Sequence, residues 1–162
     1  MRWCQNTVFP VALTLLAAPA LAQGAQQRFQ SEGRVDAILA RSGAIQAGYG
    51  FSVPAGIYVR SGLITAIGIG RHGLDGRADF VARFSLDPFR QSRWAPYGGG
   101  GLSGRFRSKA DGGARAYLLV YVGVEGPLPF GQSSGLVPAF EIGLGGGARL
   151  GVILRKGIAA RR

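Results

Sequence analysis

ARAYLLVYVGVE, residues 114–125, decides how the chain is read. Ala116, Leu118, Val120, Val122 and Val124 fall on one face, while Arg115, Tyr117, Leu119, Tyr121, Gly123 and Glu125 fall on the other. Successive side chains of an extended backbone point to opposite sides, so a period of two marks a strand with one apolar face. Residues 77–87 repeat the pattern: Ala78, Phe80, Ala82, Phe84 and Leu86 oppose Arg77, Asp79, Val81, Arg83, Ser85 and Asp87. The fold has to accommodate an apolar face beside a face carrying both signs of charge.

The alternation extends outward in both directions. On the N-terminal side, Ile45, Ala47, Tyr49, Phe51 and Val53 oppose Gln46, Gly48, Gly50 and Ser52, and Pro54-Ala55-Gly56 breaks the run. Residues 57–71 follow, with Ile57, Val59, Leu63, Ile67 and Ile69 on one side and Tyr58, Arg60, Gly62, Gly68 and Gly70 on the other. His72 to Gly76 has the composition of a hairpin turn. Earlier, RVDAIL at 34–39 alternates too, although so brief a segment also fits a short helix. Residues 96–107 alternate through the glycines 98–101, which either lie beneath bulky neighbours such as Arg83 and Tyr121 inside a small barrel or form a glycine-rich loop. Toward the C-terminus, Leu136, Pro138, Phe140, Ile142 and Leu144 precede a turn at 145–147, and Ala148, Leu150, Val152 and Leu154 close the series.

Eight such segments with short connections and no helical cover predict an all-β, eight-stranded antiparallel up-and-down β-barrel, because closure removes both sheet edges. The segments are near the length of a tilted membrane crossing. The barrel domain is expected over residues 34–156, after a flexible lead at 23–33 and before a basic C-terminal tail at 157–162. Residues 1–22 read as a signal peptide: Arg2, an apolar core from Thr7 to Leu16, and the small-residue exit Ala20-Leu21-Ala22. Its removal takes away Cys4, the only cysteine, and with it disulfide, thiolate and cysteine-metal chemistry.

The whole chain has 19 Lys and Arg, 8 Asp and Glu, and a formal charge of +11. An exported basic chain whose charges are dispersed points to acidic lipid headgroups and internal pairing, and away from nucleic acid.

LDPFRQSRWAPYGGGGLSGRF, residues 86–106, resembles the strand, periplasmic turn and strand of small bacterial outer-membrane barrels, the family that includes the outer membrane protein A transmembrane domain. Leu86-Asp87-Pro88-Phe89, Pro96-Tyr97 and Gly98 to Gly101 carry the likeness, which extends over about residues 34–155. The resemblance implies a periplasmic N-terminus, outer-surface connections near Ser42, Gly73, Asp111 and Gly146, and outer-membrane lipids, with lipopolysaccharide among them, as partners. Members of that family include structural proteins, adhesive proteins and lipid-modifying enzymes. The ending Ala159-Ala160-Arg161-Arg162 departs from the terminal aromatic residue common among such chains.

Two barrels remain open to this sequence. In an outer-membrane barrel Phe80, Phe84, Val120, Val122, Ile142 and Leu150 meet lipid, and Arg77, Asp79, Arg83, Arg115, Glu125, Glu141, Arg149 and Arg155 form mixed-sign pairs within a polar plug. In an exported soluble barrel, periplasmic or extracellular, the aliphatic face lines a cavity for a small hydrophobic ligand and the arginines face water. The expected role is structural or an interaction at the envelope, without catalysis, cofactor or metal, and no catalytic, cofactor-binding or metal residue is assigned. The enzyme alternative is a lipid hydrolase using His72 with Asp75, both in the presumed turn, and Ser103, Ser133 or Ser134, though no local signature joins them. Glu125 and Glu141 are read as arginine partners before they are read as an acid/base pair.

Overall fold

Strands with one apolar and one charged face curl here into a single closed sheet, which pairs both edges and separates the two faces into an inside and an outside. The computed structural model describes residues 29–40, 43–71, 73–87, 93–108, 114–126 and 135–156. Eight strands run in order: β1 Gln30–Leu39, β2 Ala44–Pro54, β3 Val59–Gly70, β4 Gly73–Ser85, β5 Ala95–Arg107, β6 Arg115–Glu125, β7 Leu136–Leu144 and β8 Ala148–Lys156. Each pairs antiparallel with the next, and β8 returns to β1 through register partners from Glu32–Arg155 to Leu39–Ala148. The expected eight-stranded antiparallel up-and-down barrel is the fold, and RVDAIL is part of a strand rather than a helix.

Three boundaries differ from the sequence reading. β1 begins at Gln30 and takes in four residues assigned to the lead. Between β3 and β4 only residues 71 and 72 make the connection, so Asp75 stands inside β4 instead of in a turn. Isoleucine 57 and Tyr58 belong to the bend before β3, whose first residue is Val59. The turn expected at 145–147 joins β7 to β8, and Gly146 and Gly147 adopt φ of 70° and 143°, a region that side-chain-bearing residues avoid. Residues 1–28, 127–134 and 157–162 lie outside the described residues, and the expected signal peptide and basic tail with them.

β5 is a full strand, and its glycines have the packing reason that such a strand needs. Gly99 lies between Arg83 of β4 and Tyr121 of β6 in register, and a Cβ there would fall 2.5 Å from Tyr121 Oη and 2.6 Å from its Cζ. The same Cβ would also press on the Ala82 carbonyl. Gly99→Ala should therefore cost about 1–3 kcal/mol by overpacking. In a Tyr121→Ala background part of that cost should disappear, the Ala82 contact keeping the rest. Urea titrations of the single and double variants check this; an equal cost in both backgrounds rules out the ring as the reason for the glycine.

Candidate functional site

The two faces of the alternation separate completely. At least two large apolar side chains from every strand are exposed on the barrel exterior, among them Val35, Ile45, Ile67, Phe80, Leu102, Val120, Ile142 and Val152. Phe80 is 58 %, Val120 56 % and Ile142 60 % exposed, so the aliphatic set does not line an enclosed cavity, as the apolar-ligand alternative required. Among the strand residues, the only charged side chain on the outward face is Lys156, the last residue of β8. The exposed aromatic residues Phe29, Tyr58 and Trp94 all lie at one end of the barrel, the end of the strand termini Gln30 and Lys156.

Inside, the charges form one continuous network and a separate cluster around Asp75. Nearer the strand ends Gln30 and Lys156, Glu32 accepts from Arg155 Nε at 2.8 Å, Arg34 Nη1 at 3.3 Å and Arg83 Nη1 at 3.4 Å. Arg155 also donates through Nη1 to Glu125 Oε1 at 2.6 Å and through Nη2 to the Tyr97 hydroxyl at 3.1 Å, and its guanidinium lies 4.5 Å from the Tyr97 ring centre. Register explains the first contact, since Glu32 and Arg155 are direct partners on β1 and β8. Arg34 holds both oxygens of Asp36 at 2.8 Å and reaches Glu141 Oε1 at 2.8 Å. Space for this pair comes from Gly151, where a Cβ would stand 2.6 Å from Asp36 Oδ1.

Asp36 carries the connection to the other half, because it also accepts from Arg77. Asp79 lies 3.0 Å from Arg77 Nε and accepts from Arg149 Nη1 at 2.9 Å. Arg149 donates further to Ser103 Oγ at 2.5 Å and to the Gly145 carbonyl. Asp75 accepts from Gln46 at 2.8 Å, from Arg105 Nε at 2.8 Å and from Arg107 at 3.2 Å. A fork-shaped guanidinium can serve two or three acceptors at once, which is why arginine and not lysine fills these positions.

Of the residues expected to pair, Arg77, Asp79, Arg83, Glu125, Glu141, Arg149 and Arg155 all do so within this interior. Arg115 does not: it stands at the first residue of β6, exposed at the rim. Glu32, Arg34, Asp36, Asp75 and Arg105 complete the networks and were not on the expected list. The plug is also less polar than expected, because Ile64, Val81, Leu119, Ala139 and Ile153 cluster with Tyr97 and Tyr121 inside it.

Ser103, one of the serines considered for hydrolysis, is fully buried and bonded to Arg149, away from any rim. Asp75 is likewise enclosed, and His72, Ser133 and Ser134 lie outside the described residues. Among the described residues no group of three or more His, Cys, Asp or Glu side chains assembles as a metal-ligand set. The chain matches no known family model and no curated protein in sequence.

Proposed function

We propose that this chain is a membrane-inserted barrel of the outer membrane with a structural or envelope-interaction role, lipids as its surroundings and no reaction of its own. The observation that carries the reading is the distribution of charge: arginine and carboxylate occupy the interior, and the outward face of the strands is free of charge up to Lys156. Water would favour the reverse, since exposing charge and enclosing aliphatic groups both lower the free energy of a soluble barrel. Hydrocarbon favours this one. Dimensions support it. The apolar face of β4 runs from Leu74 to Phe84, about 33 Å at ~3.3 Å per residue, and a tilt of ~40° reduces its height to about 25 Å, the apolar band of an outer-membrane barrel.

Phe29, Tyr58 and Trp94 suit the boundary between hydrocarbon and headgroups, and in this reading that end of the barrel faces the periplasm, as the resemblance of residues 86–106 to small outer-membrane barrels implies. At the opposite end the exposed Arg71 and Arg115 suit acidic headgroups, lipopolysaccharide among them. A barrel filled by side chains offers no wide pore, which favours an anchoring or scaffolding role over porin transport. Fractionation of cells making the full chain should place it with the outer membrane, extractable only with detergent. Recovery as a detergent-free soluble monomer from the periplasm overturns the reading.

A further inference from the structure

The wall of the barrel is lower on one side. At the lower end, which holds Gln30 and Lys156, pairing runs past the strand ends where Leu86 donates to the Pro96 carbonyl and Gly126 to the Pro138 carbonyl. At the upper end most neighbours also finish together: Leu39 pairs with Ala148, Ala44 with Gly70, and Gly70 with Gly73. β6 and β7 do not. Their pairing stops at Val120 opposite Leu144, and the chain turns at once through residues 145–147 into β8. Among the described residues, 115–119 have β5 on one side and no strand on the other. Five residues at ~3.3 Å each, on a strand tilted by ~40°, leave a gap on the order of 10 Å deep above the turn.

Polar backbone groups face this gap. Gly126 turns its N–H toward β7, and Val120 turns its carbonyl the same way, 2.9 Å from where a Cβ on Gly143 would stand. Alternate residues of a strand present N–H and C=O to the same side, so Leu118 and Ala116 present theirs to the gap. The Leu118 side chain is 75 % exposed and pairs with Leu102 inside the apolar band. Behind the gap, Arg105 donates to the Gly146 carbonyl and Arg149 to that of Gly145, while the Tyr117 ring lies against Gly146, where a Cβ would come within 2.8 Å of it.

A flat bilayer fitted to the apolar face of β4, about 25 Å tall, submerges this gap. The N–H and C=O of both residues then sit in hydrocarbon, and each such group costs far more than an ångström of local thinning does. Resting on the membrane reading, we propose that the barrel thins the bilayer at β7 and β8. Water and lipid headgroups descend to the β7–β8 turn and bond to the backbone of Ala116 and Leu118, while the rows from Val120 and Leu144 downward stay in hydrocarbon. The partner of the gap is a lipid surface and not a protein strand, because only two residues offer their backbone there, fewer than a paired strand of ordinary length uses.

Two matched positions test this. Leu118 lies seven residues above the lower end of β6 at Glu125, and the exposed Ile67 lies eight above that of β3 at Val59, so in a flat bilayer they stand at about one depth. Each is replaced by a spin-labelled cysteine in the full chain carrying Cys4→Ser, folded into dioleoylphosphatidylcholine vesicles. An aqueous nickel chelate should relax the label at 118 several-fold more than that at 67, where dissolved oxygen should dominate. Dilauroyl vesicles, being thinner, should narrow the difference. Lengthening the β7–β8 hairpin by two residues on each strand gives Leu118 a partner and should remove the nickel effect there; if that variant does not fold, a difference unchanged between the two lipids overturns the proposal. Equal oxygen relaxation at both positions also overturns it and leaves the membrane reading intact. A label at 118 shielded from both reagents means that protein covers the gap, which overturns it too. Nickel relaxation at both positions sinks the membrane reading, and this proposal with it.

Discussion

Replacing Arg155 by methionine is expected to cost about 3–5 kcal/mol, the penalty for leaving buried charges without their partner. The side chain is fully buried and serves Glu32, Glu125 and the Tyr97 hydroxyl, with Glu141 at 3.8 Å. Its loss leaves Arg34, Arg60 and Arg83 near Glu32, Glu125 and Glu141, equal in number, with Glu32 still held by Arg34 and Arg83 and Glu141 by Arg34. Glu125 in particular loses its 2.6 Å donor. Number is therefore not the cause of the expected loss; geometry is. Arg155→Lys should recover only a minor part, because a single ammonium on a flexible stem cannot address carboxylates on β1 and β6 together. Arg155→Met combined with Glu125→Gln should recover more, since a neutral amide tolerates the missing donor at lower cost. Urea unfolding in detergent micelles, followed by tryptophan emission and by electrophoretic mobility without boiling, gives all three values. A loss below about 0.5 kcal/mol for Arg155→Met, the range of ordinary surface changes, shows that the network is not what holds the interior together.

The difference between what was legible in the sequence and what was not follows the same physics. β4 and β6 could be read directly because each presents large aliphatic or aromatic residues at alternate positions, as in Phe80 and Phe84 or Val120 and Val122. The first part of β1 could not. Gln30 and Glu32 point inward, while the outward positions are Ser31 and Gly33, so no apolar period exists, and the strand is set by its pairing with Ser52 and Gly50 on β2. Glu32, which accepts from three arginines, was lost with it. Asp75 was misplaced for a related reason: glycine and aspartate around it imitate a turn, whereas residues 71 and 72 suffice to reverse the chain.

The identity of each ion pair was beyond a linear reading. Arg155 and Glu32 are 123 residues apart and meet because the last strand returns to the first. The inward apolar cluster was hidden as well, since Val81, Leu119 and Ile153 alternate in phase with the charges and look like interruptions of a polar face. In the folded barrel they fill the space between arginine stems and tyrosine rings, so the plug is packed as well as paired.

Val120→Arg should block or strongly weaken insertion, by about 2–4 kcal/mol if Val120 stands near the bilayer midplane. The residue lies in the middle of β6, pairs with Gly100 and Leu144, and is 56 % exposed among Leu118, Val122 and Leu144, so a guanidinium placed there has hydrocarbon on every side and no carboxylate within the outward face. Depth is the control. Ala116 is on the same outward face of the same strand, nearer the rim, opposite Gly104. Ala116→Arg should therefore cost only about 0–1 kcal/mol, because a charge near the interface keeps its hydration. Folding of both variants into lipid vesicles, with the folded fraction read against urea, measures the difference. A spin label at position 120 should be relaxed by oxygen dissolved in the acyl chains and ignored by an aqueous nickel chelate, while Tyr121, one residue along, is enclosed at 5 % exposure over Gly99. Equal costs for the two arginine variants, together with aqueous quenching at position 120, are incompatible with a lipid-facing exterior: the exposed aliphatic band then has to be covered by protein, and the outer-membrane reading falls with it.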